Sequence, residues 1–205
     1  MQMEEGIYGV LLVVIAYLVG AIPFGIIVSK IFGRGIDIRN VGSGNIGATN
    51  VARAMGKGAG ALTLLLDAGK AALVLAVTRV VMGASSEAWL AMVGGAAFLG
   101  HVFPVYLRFK GGKGVATALG VVAFLSPLVV LALMALFIVV VYFTRYVSLG
   151  SLCAAVVLPV VMALLDMPHP YLYMAFFISV VVFHAHRQNI RRLFSGQEPR
   201  FGGAS

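Results

Sequence analysis

The sequence predicts an all-α integral membrane protein, a seven-helix transmembrane bundle, and three observations predict it. Of 205 residues, 61% are hydrophobic and only 11% charged, whereas a soluble domain carries about 25% charged residues. The apolar residues fall in runs free of ionisable side chains, the first from Ile7 to Val28, long enough for the roughly 20 residues that cross a bilayer. The basic excess, a net charge of +8, collects between those runs. Basic loops in such a chain mark the cytoplasmic side and anionic lipid or substrate, so membrane lipids are expected as partners and nucleic acid is not.

The elements follow in order. The first helix covers Ile7 to Val28, with Pro23 as a kink near its far end. Glu4 and Glu5 stand where a signal peptide would be basic, and no small-residue cleavage site follows, so this run is expected to be retained. Residues 30–58 form a polar loop holding Lys30, Arg34, Arg39, Arg53 and Lys57 against Asp37 alone. Helices two and three run from about Ala59 to Met82 and Ala88 to Leu107, followed by the basic turn Arg108-Phe109-Lys110-Gly111-Gly112-Lys113-Gly114. Val115 to Phe143 divides at Ser126-Pro127 into short helices four and five, forming a hairpin. The charge pattern requires that division. One continuous helix would put Arg187, Arg191, Arg192 and Arg200 outside, while two put them inside together with Arg145. Helices six and seven run from about Ser151 to Leu165 and Pro170 to Phe183. The result is a single transmembrane domain over residues 1–205, its N-terminus outside and its C-terminus cytoplasmic. The lone Cys153 excludes disulfides within the chain and thiolate metal clusters.

Chemistry concentrates in three places. In Gly42-Ser43-Gly44-Asn45-Ile46-Gly47-Ala48-Thr49-Asn50-Val51-Ala52-Arg53, the glycines let the backbone fold back and aim N–H groups at an anion. If that segment is helical, Asn45, Thr49 and Arg53 share one face; a solvated connecting loop is the competing reading. Its Gly-x-Gly-x-x-Gly spacing lacks the strand a dinucleotide fingerprint requires. Helices two, four and six start at the cytoplasmic side behind Gly56-Lys57-Gly58, Gly111-Gly112-Lys113-Gly114 and Ser148-Leu149-Gly150-Ser151. Helix N-termini behind small residues suit anions, and Arg53, Lys113 and Arg187 supply charge. The 108–114 turn has Leu107 where a Walker A loop has its first glycine, which argues against an ATPase. Lys113 is read as a phosphate partner, and Arg108 and Lys110 as interfacial anchors.

Asp67 and Lys70, three residues apart inside helix two, are read as a mutual salt bridge in preference to a functional pair. His101 is read as a packing or interfacial residue. His184 and His186 diverge around their helix, and no histidine spacing fits a metal, so none is expected. His186 and Asn189, three apart at the end of helix seven, suit a hydroxyl or a phosphate. There is no His-x-x-x-x-Asp and no Gly-x-Ser-x-Gly.

The glycine passage 42–53, His101-Val102-Phe103-Pro104 with Phe109-Lys110-Gly111-Gly112-Lys113-Gly114-Val115-Ala116-Thr117, and His186-Arg187-Gln188-Asn189-Ile190-Arg191-Arg192-Leu193 with Gly196 and Glu198 resemble the three motifs of the bacterial acyl-phosphate-dependent glycerol-3-phosphate acyltransferases (PlsY type). Asp67-x-x-Lys70 and Thr144-Arg145-Tyr146-Val147-Ser148-Leu149 are similar to that family as well. The resemblance implies a seven-helix enzyme of the bacterial inner membrane with its active site facing the cytoplasm. It implies transfer of a fatty acyl group from acyl phosphate to the sn-1 hydroxyl of glycerol 3-phosphate, giving lysophosphatidic acid and phosphate, the first acylation of phospholipid synthesis. No cofactor or metal is implied, and the chain is expected to act as a monomer. The residues it marks as functional are Ser43, Asn45, Arg53, Lys113, Ser151, His186 and Asn189. The expected catalytic set is Ser43, Arg53, Lys113, His186 and Asn189. Substrate contacts are expected from Gly42, Gly44, Asn45, Thr49, Asn50, Gly111, Gly112, Gly114 and Ser151. Two candidates stand for the proton acceptor, His186 and the leaving phosphate. An anion transporter is the rival from another class, disfavoured because no inverted repeat is visible and the polar residues crowd one face.

Overall fold

The computed structural model describes residues 2–33, 35–83 and 86–202. Arg34 of the expected basic loop lies outside the described residues. Among those described there is no strand, and the helices are α1 (Gln2–Gly20), α2 (Phe24–Phe32), α3 (Ala48–Met55), α4 (Lys57–Met82), α5 (Glu87–Val102), α6 (Val115–Leu125), α7 (Pro127–Thr144), α8 (Val147–Leu164), α9 (His169–Ala185) and α10 (Arg187–Phe194). Short 3₁₀ turns occupy Ile38–Asn40 and Val105–Leu107. Among the described residues, five segments are long and apolar enough to cross a membrane: Glu4–Phe32, Lys57–Met82, Glu87–Leu107, Pro127–Thr144 and Val147–Leu164. Helices α6 and α9 are shorter apolar helices. The chain divides into two compact units, one up to Phe124 and one from Leu125.

In the first unit, α1 packs on α4 and α5, and it meets α5 through small residues. A Cβ on Gly20 would strike the Ala97 carbonyl, and one on Gly100 the Tyr17 carbonyl, so these helices approach backbone to backbone. Tyr17 Oη donates to the Phe103 carbonyl at 2.8 Å. The expected first helix is interrupted at residues 21–23 and resumes as α2, a full break where a kink is expected. Proline has no N–H and pushes the preceding residue away from helical geometry, so the i→i+4 ladder cannot continue across Pro23. The Ile22 carbonyl takes Phe24 N at 3.1 Å and Lys70 Nζ of α4 at 2.8 Å. A side chain from the neighbouring helix thus fills the gap, as backbone at membrane depth requires. Helix α2 then leads into a separate core cluster, Ile26, Val28, Ile38, Ile46 and Val51, against which Leu107 also packs.

In the second unit, α7 begins as the Ser126-Pro127 pair predicts. Pro127 takes the first helical position, where no N–H is needed, and Ser126 Oγ accepts from Val129 N at 3.4 Å. With 18 residues α7 is long enough to span, while α6, at 11, is the short member. Helix α8 starts at Val147 instead of the expected Ser151, so Ser148, Gly150 and Ser151 lie inside its first turns and form no loop before it. Ser151 Oγ donates back to the Val147 carbonyl at 3.0 Å, a bond only a helix offers. A Cβ on Gly150 would crowd Phe137 and Val141 of α7; the small residues serve helix packing there. Pro159 sits inside α8 and strips the Ala155 carbonyl of its ladder partner. Ser179 Oγ of α9 donates to that carbonyl at 2.5 Å. Past His186 the chain enters α10, a helix the apolar pattern does not announce.

Candidate functional site

In the first unit, two loops carry the expected phosphate chemistry. The glycine loop is built around Asn50, which is buried. Its Nδ2 donates to the carbonyls of Ile38 at 3.2 Å, Val41 at 2.9 Å and Asn45 at 2.9 Å. Its Oδ1 accepts from Ser43 N at 3.0 Å. One amide therefore ties four loop positions together, and the side chain is spent on backbone. Gly42 and Gly44 take φ of 58° and 67°, the left-handed region that glycine enters freely. Asn45 does not share a helical face with Thr49 and Arg53, because α3 starts at Ala48. Its Oδ1 accepts from Gly47 N at 2.8 Å, a local turn that competes with helix and sets the entry into α3. Thr49 and Arg53 remain one turn apart on α3, and both are exposed, as is Ser43.

Flanking this loop, Arg39 forks onto Asp37, Nη2 to Oδ2 at 2.6 Å and Nε to Oδ1 at 3.0 Å. The guanidinium holds the Asp37 carboxyl down at about 2. Arg39 is thus a neutralised cation.

The basic turn follows from its hydrogen bonds. Gly111 N donates to the Val102 carbonyl at 3.2 Å and Gly112 N to the His101 carbonyl at 3.1 Å, folding the turn back onto the end of α5. Arg108 and Phe109 are held at φ of 50° and 61°, a left-handed pair that costs non-glycine residues energy. A side chain at Gly112 would collide with His101 Nε2, and one at Gly114 with Phe98. Lys113, half-buried, is presented between these two glycines at the start of α6.

Sequence reasoning missed the group beneath that turn. Asp67 and Lys70 do form the predicted bridge, at 2.7 Å and with both side chains buried. His101, read as packing or interfacial, joins them: it is 4% exposed and its Nδ1 lies 3.1 Å from Lys70 Nζ and 3.4 Å from Asp67 Oδ1. No local spacing relates residue 101 to residues 67 and 70; only the packing of α4 on α5 does.

In the second unit, Ser151, His186 and Asn189 are all buried. His186 closes α9 and opens α10, its Nδ1–H donating to the Val182 carbonyl at 2.8 Å. A carbonyl only accepts, so that bond requires a proton on Nδ1. Asn189 Nδ2 donates to Glu198 Oε1 at 2.6 Å. Ser148 Oγ reaches the same oxygen at 2.7 Å, and Arg192 Nε reaches Oε2 at 2.8 Å. Burial raises the Glu198 pKa, but the hydrogen bonds from Ser148, Arg192 and Asn189 outweigh it and hold the carboxyl below its ordinary value. Glu198 is the residue that orients Asn189. Sequence reasoning quoted it within a motif and gave it no role.

Comparison with known proteins bears on these loops. A family model described as glycerol-3-phosphate acyltransferase matches residues 10–196. A curated glycerol-3-phosphate acyltransferase of Syntrophotalea carbinolica is 50% identical over 91% of this chain and 94% of its own. That of Geobacter sulfurreducens is 49% identical over 93% and 96%. The chain is also similar to the crystal structure of PlsY (YgiH), an integral membrane glycerol 3-phosphate acyltransferase. It matches the glycerol 3-phosphate form with a TM-score of 0.89 and 43% identity, over 95% of this chain and 96% of that one. The lysophosphatidic acid form gives 0.88 and 42% over the same shares. With the match running through the glycine loop, the basic turn and the His186 segment alike, the chain belongs to the glycerol-3-phosphate acyltransferase family.

Proposed function

We propose that this protein transfers a fatty acyl group from acyl phosphate to the sn-1 hydroxyl of glycerol 3-phosphate, releasing phosphate and lysophosphatidic acid, at the cytoplasmic face of a bacterial inner membrane. The observation that carries the reading is the pairing of two anion-suited loops on one core. The glycine loop contributes Ile46 and Val51 to the cluster against which Leu107, just before the basic turn, packs. Both substrates are phosphates, and PlsY (YgiH), to which this chain is similar, was crystallised in a glycerol 3-phosphate form and a lysophosphatidic acid form.

An acyl phosphate is a mixed anhydride, activated before it arrives, so no covalent nucleophile on the protein is needed. Catalysis then consists of positioning the hydroxyl against the acyl carbon and stabilising charge as phosphate departs. Arg53 and Lys113 are assigned to the phosphates, with the backbone N–H groups of the loop that Asn50 holds open and the hydroxyls of Ser43 and Thr49 beside them. His186 and Asn189 are assigned to orienting glycerol 3-phosphate, and Ser151 of α8 to a substrate contact. As general base, His186 would act through Nε2, since its Nδ1 donates to the Val182 carbonyl. Either Nε2 takes the proton or the leaving phosphate does. An acid limb near pH 6.5, the ordinary histidine value, that vanishes in His186→Asn identifies Nε2; an unchanged limb with a raised KM for glycerol 3-phosphate identifies the phosphate. The charge pattern supports a cytoplasmic location for the loops at 42–53 and 108–114 and for α10.

The test is purified protein in detergent with palmitoyl phosphate and glycerol 3-phosphate, lysophosphatidic acid being quantified. Product should form without a membrane gradient, which a transporter would need, and palmitoyl-CoA should give negligible product. Equal rates with the thioester would sink the acyl-phosphate assignment.

A further inference from the structure

We propose that Asp67, Lys70 and His101 form a positioning cluster that sets the geometry of the Gly111–Lys113 turn; this rests on the proposed reading of that turn as phosphate-binding. The three side chains are buried, at 1%, 5% and 4% exposure, and they connect three elements. Lys70 Nζ meets three groups, the Ile22 carbonyl at 2.8 Å, Asp67 Oδ1 at 2.7 Å and His101 Nδ1 at 3.1 Å. Three contacts match the three hydrogens that a lysine ammonium carries, and the third of them is the Nδ1 edge of His101, which leaves the Nε2 edge facing the turn. That edge of the ring occupies the space where a Gly112 side chain would stand. His101 also receives Gly112 N on its backbone carbonyl. One residue therefore holds Gly112 from two sides, and its ring orientation is fixed by Lys70, which Asp67 anchors in turn. Lys113 is the next residue.

A cluster serving stability alone would satisfy itself. Here Asp67 Oδ2, buried, has no hydrogen-bond partner among the described residues, a cost that native structures accept where a polar group has another task. The cluster also closes the break before α2 at Ile22. Helix α2 meets the glycine loop at once, since a side chain at Gly25 would strike the Ile46 carbonyl. The same three residues thus set the height of the basic turn and the entry to the loop that carries Arg53.

The test compares His101→Asn with His101→Gln. Asparagine places a carbonyl oxygen near the Nδ1 position and can accept from Lys70; glutamine puts its amide near Nε2. The Asn variant should keep kcat/KM within about fivefold of wild type, and the Gln variant should lose more than tenfold. Next, His101→Gln is combined with Lys113→Ala. If the cluster acts through the turn, the double variant should be no slower than Lys113→Ala alone, because residues that work as one unit are not additive. Multiplying losses, or an Asn variant no better than Gln, would overturn the positioning role while leaving the phosphate reading intact. If Lys113→Ala by itself kept full kcat/KM, the phosphate reading of the turn would fall, and the cluster's role with it. His101→Gln at wild-type rate with Lys113→Ala slow would overturn the cluster alone. Thermal unfolding of each detergent-purified variant accompanies the kinetics. A rate loss that merely follows a lowered midpoint, equal for Asn and Gln, counts against the proposal.

Discussion

Two prolines interrupt membrane helices in this protein, and they are accommodated by different means. Pro159 lies within α8, frees one carbonyl, that of Ala155, and a single neutral hydroxyl from Ser179 satisfies it. Pro23 ends α1 altogether, and the Ile22 carbonyl at the break takes an ammonium held by a carboxylate and an imidazole. The neutral repair keeps a helix running. The charged one terminates a helix, redirects the chain, and reaches a turn beside a candidate phosphate site. A buried ion pair is weak evidence for stability, and an apolar helix can be repaired with much less, so the charged arrangement at Pro23 points to a demand for geometry.

The largest effect that would sharpen this contrast is Asp67→Ala. It leaves Lys70 buried without its counter-ion, a change worth about 3–5 kcal/mol, visible as a strongly lowered unfolding midpoint or loss of monodisperse protein in detergent. Ser179→Ala should cost less, about 1–3 kcal/mol for an orphaned buried carbonyl, read by the same midpoint. The two proline repairs differ in kind only if the second depends on the missing N–H. Pro159→Ala restores that N–H, so Ser179→Ala added to it should lower the midpoint less than Ser179→Ala does alone. Additive losses would show that the serine serves packing and not the break.

Glu198 tests whether a charged hub behaves alike near water. Its carboxyl is held below the ordinary value of 4.5 by Ser148, Arg192 and Asn189. The folded pKa is the lower one, so this contribution is complete above about 4.5 and is lost as pH falls through the depressed folded value. Unfolding midpoints measured between pH 6 and pH 3 should therefore drop less in Glu198→Gln than in wild type. The smallest effect belongs to Asp37, whose pair with Arg39 is half open to solvent on the arginine side. Asp37→Ala should leave the midpoint unchanged within error, since exposed ion pairs contribute little.

Features written in short stretches of chain were legible. The apolar runs, the division at Ser126-Pro127, the three polar motifs and the Asp67–Lys70 bridge all depend on residues within one helix or turn of each other. The misreadings share a cause. Ser148 to Ser151 look like a loop because small polar residues usually are one, yet α7 packing and the bond from Ser151 to Val147 make them helix. Asn45 looks like a helical neighbour of Thr49 until its side chain is seen capping Gly47. His101 looks like a packing residue because its partners lie 31 and more positions away.

The sequence by itself determined the class of this protein and its family, because hydrophobic run length and motif composition are local properties that survive any packing. It also determined where charge would gather, for the same reason. Only the tertiary structure decided which buried groups meet: Lys70 with the Ile22 carbonyl 48 positions away, Ser148 with Glu198 across 50, and Ser179 with Ala155 across 24. In an apolar interior each polar group must find a partner wherever a neighbouring helix presents one. Which helix that is depends on how small residues such as Gly20, Gly100 and Gly150 let the backbones approach.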